Sequence, residues 1–253
     1  MAAHPGRTPT GEAEGPPADV ASPRTAPPAD AAGAGLAASA TNPPAMARSD
    51  LGILARLLVA EFLLLVKGRS VAWYLVAVGL IVACLLAPVD AVQRWLLPLA
   101  WLWPLPLWSE MGARETLHRT RELLFSAPAP VLRQLPATWL AGVALALATG
   151  SGALLRLASE PGLLPGLVAG TLFIPSLALL LGLASGSGRA FQVAWMVLWY
   201  LGAMNGVPAF DVVGATAAGV AAGVPWAYAI AGLGLAALAA VARRHQVRPL
   251  ATR

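Results

Sequence analysis

This chain of 253 residues is 58% hydrophobic and 11% charged, with a formal net charge of +5 at pH 7. Soluble domains carry about 25% charged residues, so the composition excludes an ordinary soluble protein and indicates an all-α, polytopic membrane protein. The arginines flank apolar runs instead of forming a stripe with interleaved aromatic side chains, which favours a lipid bilayer over nucleic acid as the partner. The single cysteine, Cys84, excludes a disulfide framework and a thiolate metal cluster.

Residues 1–47 are rich in Ala, Pro and Gly and poor in large apolar side chains. Such a segment buries too little surface to offset its ordering entropy, so we predict a disordered tail. It also lacks the apolar core of a secretory signal. Met46 stands directly before a helix start and is an alternative initiator, in which case residues 1–45 are a start-site extension.

Residues 48–69 are predicted to form an amphipathic elbow helix before the first span. Ser49 or Asp50 is placed to cap its start, and Gly68 is placed to end it. Apolar side chains recur at spacings of three and four residues and form one stripe along the helix. The stripe consists of Leu51, Leu54, Leu58, Phe62 and Leu65.

The charges of this helix favour a position in the membrane interface. Arg56 and Lys67 share one face, and we expect Glu61 to lie off the apolar stripe. Charges are costly inside a spanning helix but suit a helix that lies along the membrane surface. The alternative is a seventh span over residues 51–66.

Residues 70–245 are predicted to form one bundle of six transmembrane helices, followed by a cytoplasmic tail over 246–253. An α-helix needs about 20 apolar residues to cross the hydrocarbon core. Six runs approach or reach this length: 71–88, 93–109, 136–155, 163–184, 190–206 and 224–242.

The distribution of basic residues predicts the orientation of the bundle. With the amino terminus in the cytoplasm, the outer segments carry only Arg94 and Arg156. The positive-inside rule then places both termini in the cytoplasm and Asp90, Glu160 and Asp211 outside, in a multi-pass protein of the inner (cytoplasmic) membrane. From residue 48 onward the inner segments carry thirteen basic residues: Arg48, Arg56, Lys67, Arg69, Arg114, Arg119, Arg121, Arg133, Arg189, Arg243, Arg244, Arg248 and Arg253.

Three residue types predict features inside the bundle. Prolines remove backbone donors, so the second span should be kinked at Pro98, Pro104 and Pro106 and shielded by its neighbours. Tryptophans near predicted span ends favour the head-group region, namely Trp73, Trp95, Trp108, Trp139, Trp199 and Trp226. Small residues permit close helix approach, among them Gly142, Gly150, Gly182 and Gly232.

Catalytic chemistry is nearly absent from the sequence, and we predict a non-enzymatic protein without a catalytic or metal site. Six spans suggest a rhomboid protease, but the glycine that this chemistry needs two residues before Ser187 is missing, and no histidine falls inside a span. Neither a His-Glu-x-x-His motif nor a phosphate-binding loop is present. The deepest polar groups, Gln192 and Asn205, are predicted to form interhelical hydrogen bonds, with pathway lining as the alternative.

The longest cytoplasmic loop, residues 110–128, carries the main functional signal. A helix is predicted from about 113 to 125, where Glu115 and Arg119 form a favourable i,i+4 pair. Leu117, Leu123 and Leu124 give it an apolar side, and Pro128 ends it. Such a helix suits insertion into a partner, whereas the simpler alternative is a connector lying on the membrane.

This loop resembles the coupling region of ABC transporter permeases of the type-2 exporter class. There a kinked second span leads into a charged helix, a Leu-Leu and Pro stop, and an Arg before the third span. The resemblance covers about residues 49–245, because an elbow helix, six spans and a Gly/Ala-rich external segment (207–223) also fit. It departs at 134–137, where such permeases commonly carry a Gly-Lys pair. The matching loop residues are Glu115, Glu122, Leu123, Leu124, Ser126, Pro128 and Arg133.

The resemblance implies a non-catalytic permease subunit that forms a translocation pathway with a second, identical or related permease. A separate ABC ATPase would grip the coupling helix, and ATP and magnesium would bind only to that partner. The implied partner-binding residues are Glu115, Leu117, Arg119, Glu122, Leu123 and Leu124. The competing hypothesis is a membrane scaffold or assembly factor that recruits another cytoplasmic protein through the same loop.

Overall fold

A computed structural model describes residues 46–113, 130–157 and 164–247 of the chain. Within these ranges the chain is helical, with turns and short loops between helices and no strand. The all-α prediction is therefore confirmed for this part of the protein. The predicted disordered tail before residue 46 and most of the predicted coupling helix and cytoplasmic tail lie outside the described residues.

The described ranges contain ten α-helices and three shorter helical turns. The α-helices are α1 (Met46–Val66), α2 (Val71–Leu86), α3 (Val89–Ala91), α4 (Leu97–Leu102), α5 (Leu105–Ser109), α6 (Pro130–Leu157), α7 (Leu164–Ser185), α8 (Gly188–Trp199), α9 (Ala217–Ala221) and α10 (Val224–Val247). π-Helical turns occupy Val92–Leu96 and Tyr200–Met204, and a 3₁₀ turn occupies Pro208–Phe210.

Three of these helices are individually long and apolar enough to cross a membrane: α6, α7 and α10, over Gln134–Arg156, Leu164–Ser185 and Val224–His245. Helices α1 and α2 meet the same criteria only as a pair, and they are bent by 107° at the break between them. The described fold is thus compatible with a multi-pass membrane protein.

The helix interruption predicted for residues 93–109 is confirmed. This segment runs through α3, a π-helical turn, α4 and α5, and Pro98 and Pro106 lie in the first turns of α4 and α5. Proline lacks the N–H that continues a helix, and each of these prolines is the second residue of its helix, where that donor is least needed. The pieces are shielded by burial of Leu97, Trp101 and Leu107.

Two tryptophans of this segment attach it to α6. The Trp101 Nε1–H donates to the Ala146 carbonyl at 3.0 Å, and the Trp108 Nε1–H donates to the Gly142 carbonyl at 3.2 Å. Both rings are fully buried. The prediction of a head-group position is therefore wrong for Trp108, because a carbonyl of α6 satisfies its polar edge inside the bundle.

Close approach at the four predicted glycines is confirmed. A Cβ at Gly142 would lie 2.5 Å from the Met111 Cε atom, and one at Gly150 would lie 2.9 Å from the Trp101 Nε1 atom. A Cβ at Gly232 of α10 would lie 2.9 Å from backbone atoms of Phe173 in α7. Gly182 approaches the Met111 carbonyl even more closely. Absence of a side chain thus makes room for the side chains of Met111 and Trp101 at Gly142 and Gly150, and lets backbones approach each other at Gly182 and Gly232.

Helix α1 differs from its prediction at its start and on its buried face. It begins at Met46, so Ser49 and Asp50 lie inside its first turns and not at its cap. Gly68 adopts a φ of +90° just after the helix, as its role as the terminator requires. The helix begins before Ser49 because Met46, Ala47 and Arg48 all favour helix formation.

Glu61 lies on the buried face of α1, so the prediction that it lies off the apolar stripe is wrong. Its side chain is 6% exposed, and its Oε1 accepts a hydrogen bond of 2.9 Å from Gln134 Nε2 of α6. Spacings of three and four residues put Glu61 on the same face as Leu58 and Leu65. A partner on another helix makes burial of this carboxylate tolerable.

The segment between α8 and α10 is folded onto the bundle. The Asp211 side chain is fully buried and accepts hydrogen bonds of 2.7 Å from the backbone N–H groups of Ala215 and Thr216, and a third from the Thr216 hydroxyl. Gln93 Nε2 donates to the Gly214 carbonyl at 2.7 Å. Asp211 is therefore a structural centre of this segment and not an exposed residue.

Candidate functional site: the anchor of the predicted coupling loop

The chain leads into the predicted coupling loop through residues 109–113, which we call the anchor segment. It begins at the last residue of α5 and continues as a series of turns, in which the Met111 N–H donates to the Trp108 carbonyl at 2.9 Å. Ser109, Met111 and Ala113 are buried, with exposed fractions of 6%, 0% and 0%. The described part of the loop thus begins inside the bundle and not on its surface.

Three glycines allow the anchor segment to lie directly on the backbones of α7 and α8. A Cβ at Gly182 of α7 would overlap the Met111 carbonyl oxygen, and one at Gly188 would lie 2.5 Å from the Ser109 carbonyl oxygen. Within the anchor segment, Gly112 has a φ of +73°, and a Cβ there would lie 2.6 Å from the Leu179 carbonyl oxygen. Backbone atoms cannot move aside like flexible side chains, so these contacts fix the position of the anchor segment.

Side chains extend the same attachment to α6 and add a second contact with α8. The Met111 methyl group packs against Gly142 of α6. Gln192 Nε2 of α8 donates to Ser109 Oγ at 3.1 Å, and that hydroxyl donates to the Pro106 carbonyl at 2.8 Å. Displacement of the anchor segment would therefore act on α6, α7 and α8 together.

An ion pair connects the anchor segment to the break between α1 and α2. The Arg69 Nη2 atom lies 2.5 Å from Glu110 Oε1, with side chains 27% and 39% exposed. Pairs at this exposure contribute about 1 kcal/mol or less, because solvent screens them. The pair therefore contributes little to the free energy of folding. Its main effect is to orient the junction after α1 relative to the start of the loop.

The predicted site residues fall into three groups. Six of them, Glu115, Leu117, Arg119, Glu122, Leu123 and Leu124, lie outside the described residues. Gln192 forms the interhelical hydrogen bond that the sequence predicted. For Asn205 that prediction is wrong, because its side chain is exposed and its Nδ2 donates to the Tyr200 carbonyl at 2.8 Å, at the end of its own helical segment.

Several residues of the site carried only weak signals in the sequence. The sequence identifies Gly182 only as a small residue, and no local pattern pairs Arg69 with Glu110. Met111 and Gly188 have no spacing or motif that distinguishes them. Their role depends on which helix ends meet in space, and local patterns do not encode that information.

The described residues also show which metal-binding groups and cavities this part of the chain contains. Among them, no group of three or more His, Cys, Asp or Glu side chains is placed to hold a metal ion. Two cavities open between helices: one of about 190 Å³ is lined by apolar side chains of α6 and α7 and by Trp101, and one of about 300 Å³ lies between α6, α7 and α10.

The fold and the anchor segment define an all-helical protein, several of whose helices are long and apolar enough to span a membrane. No protein-family model, curated protein or solved structure matches this chain. Its function must therefore be inferred from the sequence pattern and from the geometry of the anchor segment.

Proposed function

We propose that this chain is the membrane-spanning permease subunit of an ABC transporter of the type-2 exporter class. It forms a translocation pathway, and its 110–128 loop binds a separate ATPase subunit. Leu117, Leu123 and Leu124 are the apolar contacts of that interaction, and Glu115, Arg119 and Glu122 set its register.

The observation that carries this proposal is the attachment of the anchor segment. A loop that transmits a partner's movement must be attached rigidly to the helices that it moves. With a flexible attachment, the loop would move without the helices. The backbone contacts at Gly182 and Gly188, with the Ser109–Gln192 hydrogen bond, supply such a joint. A connector that only rested on the membrane would not require glycines at these positions.

Six crossings and an elbow helix complete the proposed architecture. The 107° bend between α1 and α2 supports an α1 that lies along the membrane surface before the first crossing. The broken segment from α3 to α5, and α8 with its following π turn, are apolar and would supply the second and fifth crossings. Irregular backbone at membrane depth is tolerated where neighbouring helices shield it.

In this mechanism the ATP and magnesium sites belong to the partner. Two permease subunits, identical or related, enclose the pathway between them. Closure of the ATPases moves both coupling loops, and the anchor segments carry that movement into α6, α7 and α8. The bundle is thereby biased between inward-open and outward-open states. Both termini and the loop lie in the cytoplasm, at the inner membrane.

The test is retention of an ATPase during purification of the tagged full-length chain from its native membranes. We expect the wild-type chain to retain a nucleotide-hydrolysing subunit, and the Leu117→Ala, Leu124→Ala double variant to lose it. Loss of two buried anchors is enough to dissociate a micromolar complex. A Thr116→Ala, Thr120→Ala double variant is the matched control and should retain the subunit.

The opposite outcome has a clear meaning. If the wild-type chain retains a cytoplasmic protein without ATPase activity, the chain is a scaffold or assembly factor and the transporter proposal is wrong. If both double variants retain the ATPase equally, the loop does not hold the partner through its leucines.

A further inference from the structure

A cavity of about 300 Å³ lies between α6, α7 and α10, near the end of α10 that carries Arg243 and Arg244. Its walls come from Leu135, Pro136, Trp139, Leu179, Ala236 and Ala240, and Arg244 also lines it. The volume is at the lower end of the range of about 300–1,000 Å³ that is typical of ligand sites.

The cavity results from how α10 packs. Gly232 lets α10 approach the backbone of α7 closely, whereas α10 touches α6 at few points. Besides Arg244, the side chains of α10 that line the cavity are alanines at 236 and 240, which leave the gap toward α6 unfilled.

The face of α10 that lines the cavity carries both small apolar side chains and a positive charge. Ala236, Ala240 and Arg244 follow each other at intervals of four residues, so they lie on the same face, about 6 Å apart. The Arg244 side chain is exposed, and therefore the cation lies at the mouth of the cavity while the alanines line its interior. This arrangement fits an elongated ligand with an apolar body and an anionic end.

The polar groups of α6 and α7 near this cavity are engaged elsewhere. The Trp139 Nε1–H donates to Ser176 Oγ at 2.8 Å, and Ser176 is fully buried, so the indole supplies an apolar wall. Gln134, next to the lining residue Leu135, donates to Glu61 of α1 and does not line the cavity. The cavity therefore presents one basic group and otherwise apolar surface.

We propose that this cavity binds a phospholipid with an anionic head group, with one acyl chain beside Ala236 and Ala240 and the phosphate at Arg244. A free anion would leave the apolar walls unfilled, and a lipid without net negative charge would not complement the arginine. In the predicted orientation this end of the bundle faces the cytoplasmic leaflet, where anionic lipids attract basic residues. The proposal does not depend on coupling to an ATPase.

The test uses the full-length chain in neutral detergent, titrated with phosphatidylglycerol and followed by native mass spectrometry. We expect a one-to-one lipid complex whose affinity falls about fivefold in Arg244→Gln, the loss expected for one basic residue at an anionic surface. Arg189→Gln is the control: it removes an exposed arginine from the start of α8, outside the cavity, and should bind as wild type does.

A second pair of variants tests the apolar part of the site. Ala236→Leu fills the cavity and should reduce binding at least tenfold, whereas Ala237→Leu adds the same side chain at an exposed position of α10 and should not. If Ala236→Leu does not fold, the arginine variants still decide the question. Phosphatidylcholine binding as tightly as phosphatidylglycerol, displacement of the lipid by inorganic phosphate, or unchanged affinity in Arg244→Gln would each overturn the proposal.

Discussion

The ion pair between Arg69 and Glu110 joins positions 41 residues apart in the chain and connects the anchor segment to the break between α1 and α2. Both side chains remain partly exposed. Its expected contribution is therefore modest, but it is measurable because each partner is a single removable charge.

We predict a coupling energy of about 0.5–1 kcal/mol between these two residues, the range for partly exposed pairs. The measurement is a double-mutant cycle of Arg69→Ala and Glu110→Ala, read from unfolding of the purified protein in detergent. Lys67→Ala with Glu110→Ala is the control pair, since Lys67 is exposed and two residues from Arg69. Additive effects in both cycles would show that the ion pair does not form.

Asp211 is a buried acidic side chain with several hydrogen-bond donors around it. Its carboxylate accepts hydrogen bonds from two backbone N–H groups and one hydroxyl in a fully buried position. Replacement by alanine would leave those donors without their acceptor, and each buried unsatisfied group costs about 1–3 kcal/mol.

We therefore predict that Asp211→Ala lowers the free energy of unfolding by about 3 kcal/mol or more. Thermal unfolding followed by tryptophan fluorescence would measure the change. Asp90→Ala removes an exposed aspartate and should leave the midpoint nearly unchanged. Equal midpoints for the two variants would contradict the buried network.

At the scale of elements, α7 and the anchor segment are in direct backbone contact. Gly182 faces the Met111 carbonyl so closely that a methyl group requires backbone movement. Gly234 of α10 offers a matched comparison, because it is also helical and no atom lies within 4 Å of its Cβ position.

We predict opposite effects for alanine at these two glycines. Gly182→Ala should destabilise the protein by about 1–3 kcal/mol or more through overpacking. Gly234→Ala should be neutral or should stabilise by up to about 1 kcal/mol, because alanine favours helix over glycine. The midpoints of thermal unfolding of both variants test this prediction. A Gly182→Ala protein as stable as the wild type would mean that α7 and the anchor segment are not in close contact.

The elements that the sequence predicted well are those whose signal is local. The prolines of the second span predict the break because each removes a donor at a known position. The glycines at 142, 150, 182 and 232 predict close approach because glycine is the only amino acid without a side chain. What could not be predicted is the neighbour of each glycine, since that depends on the arrangement of the whole bundle.

The failures at Glu61, Trp108 and Asp211 have a common cause. Each residue carries a polar group that sequence reasoning assigned to water or to the head-group region. Each is instead satisfied inside the fold: Glu61 by Gln134, Trp108 by the Gly142 carbonyl, and Asp211 by its own following turn. Partners distant in sequence, such as Gln134 at 73 residues from Glu61, leave no local signature.

For the whole molecule, we predict that the charge asymmetry places Asp90 outside and Arg189 inside the cell. Cysteine at Asp90 should react with an impermeant maleimide in intact cells, and cysteine at Arg189 should react only after the membrane is opened. Both positions are exposed, and the native Cys84 is fully buried, so its background labelling should be low. Labelling at 189 from outside would reverse the orientation.

Asp211 is unsuitable for the same experiment, although its predicted position is also external. A cysteine there would be buried and would lack the carboxylate that organises the segment between α8 and α10. Asn205 is exposed and is the better second external position.

The central proposal is that the 110–128 loop couples this chain to a separate ATPase. The most direct test measures ATP hydrolysis by the ATPase reconstituted with this chain. We predict that the wild-type chain stimulates its partner, that Thr116→Ala with Thr120→Ala does so equally, and that Leu117→Ala with Leu124→Ala leaves the rate at that of the ATPase alone. Full stimulation by the leucine variant, inserted and folded as the wild type is, would contradict the account.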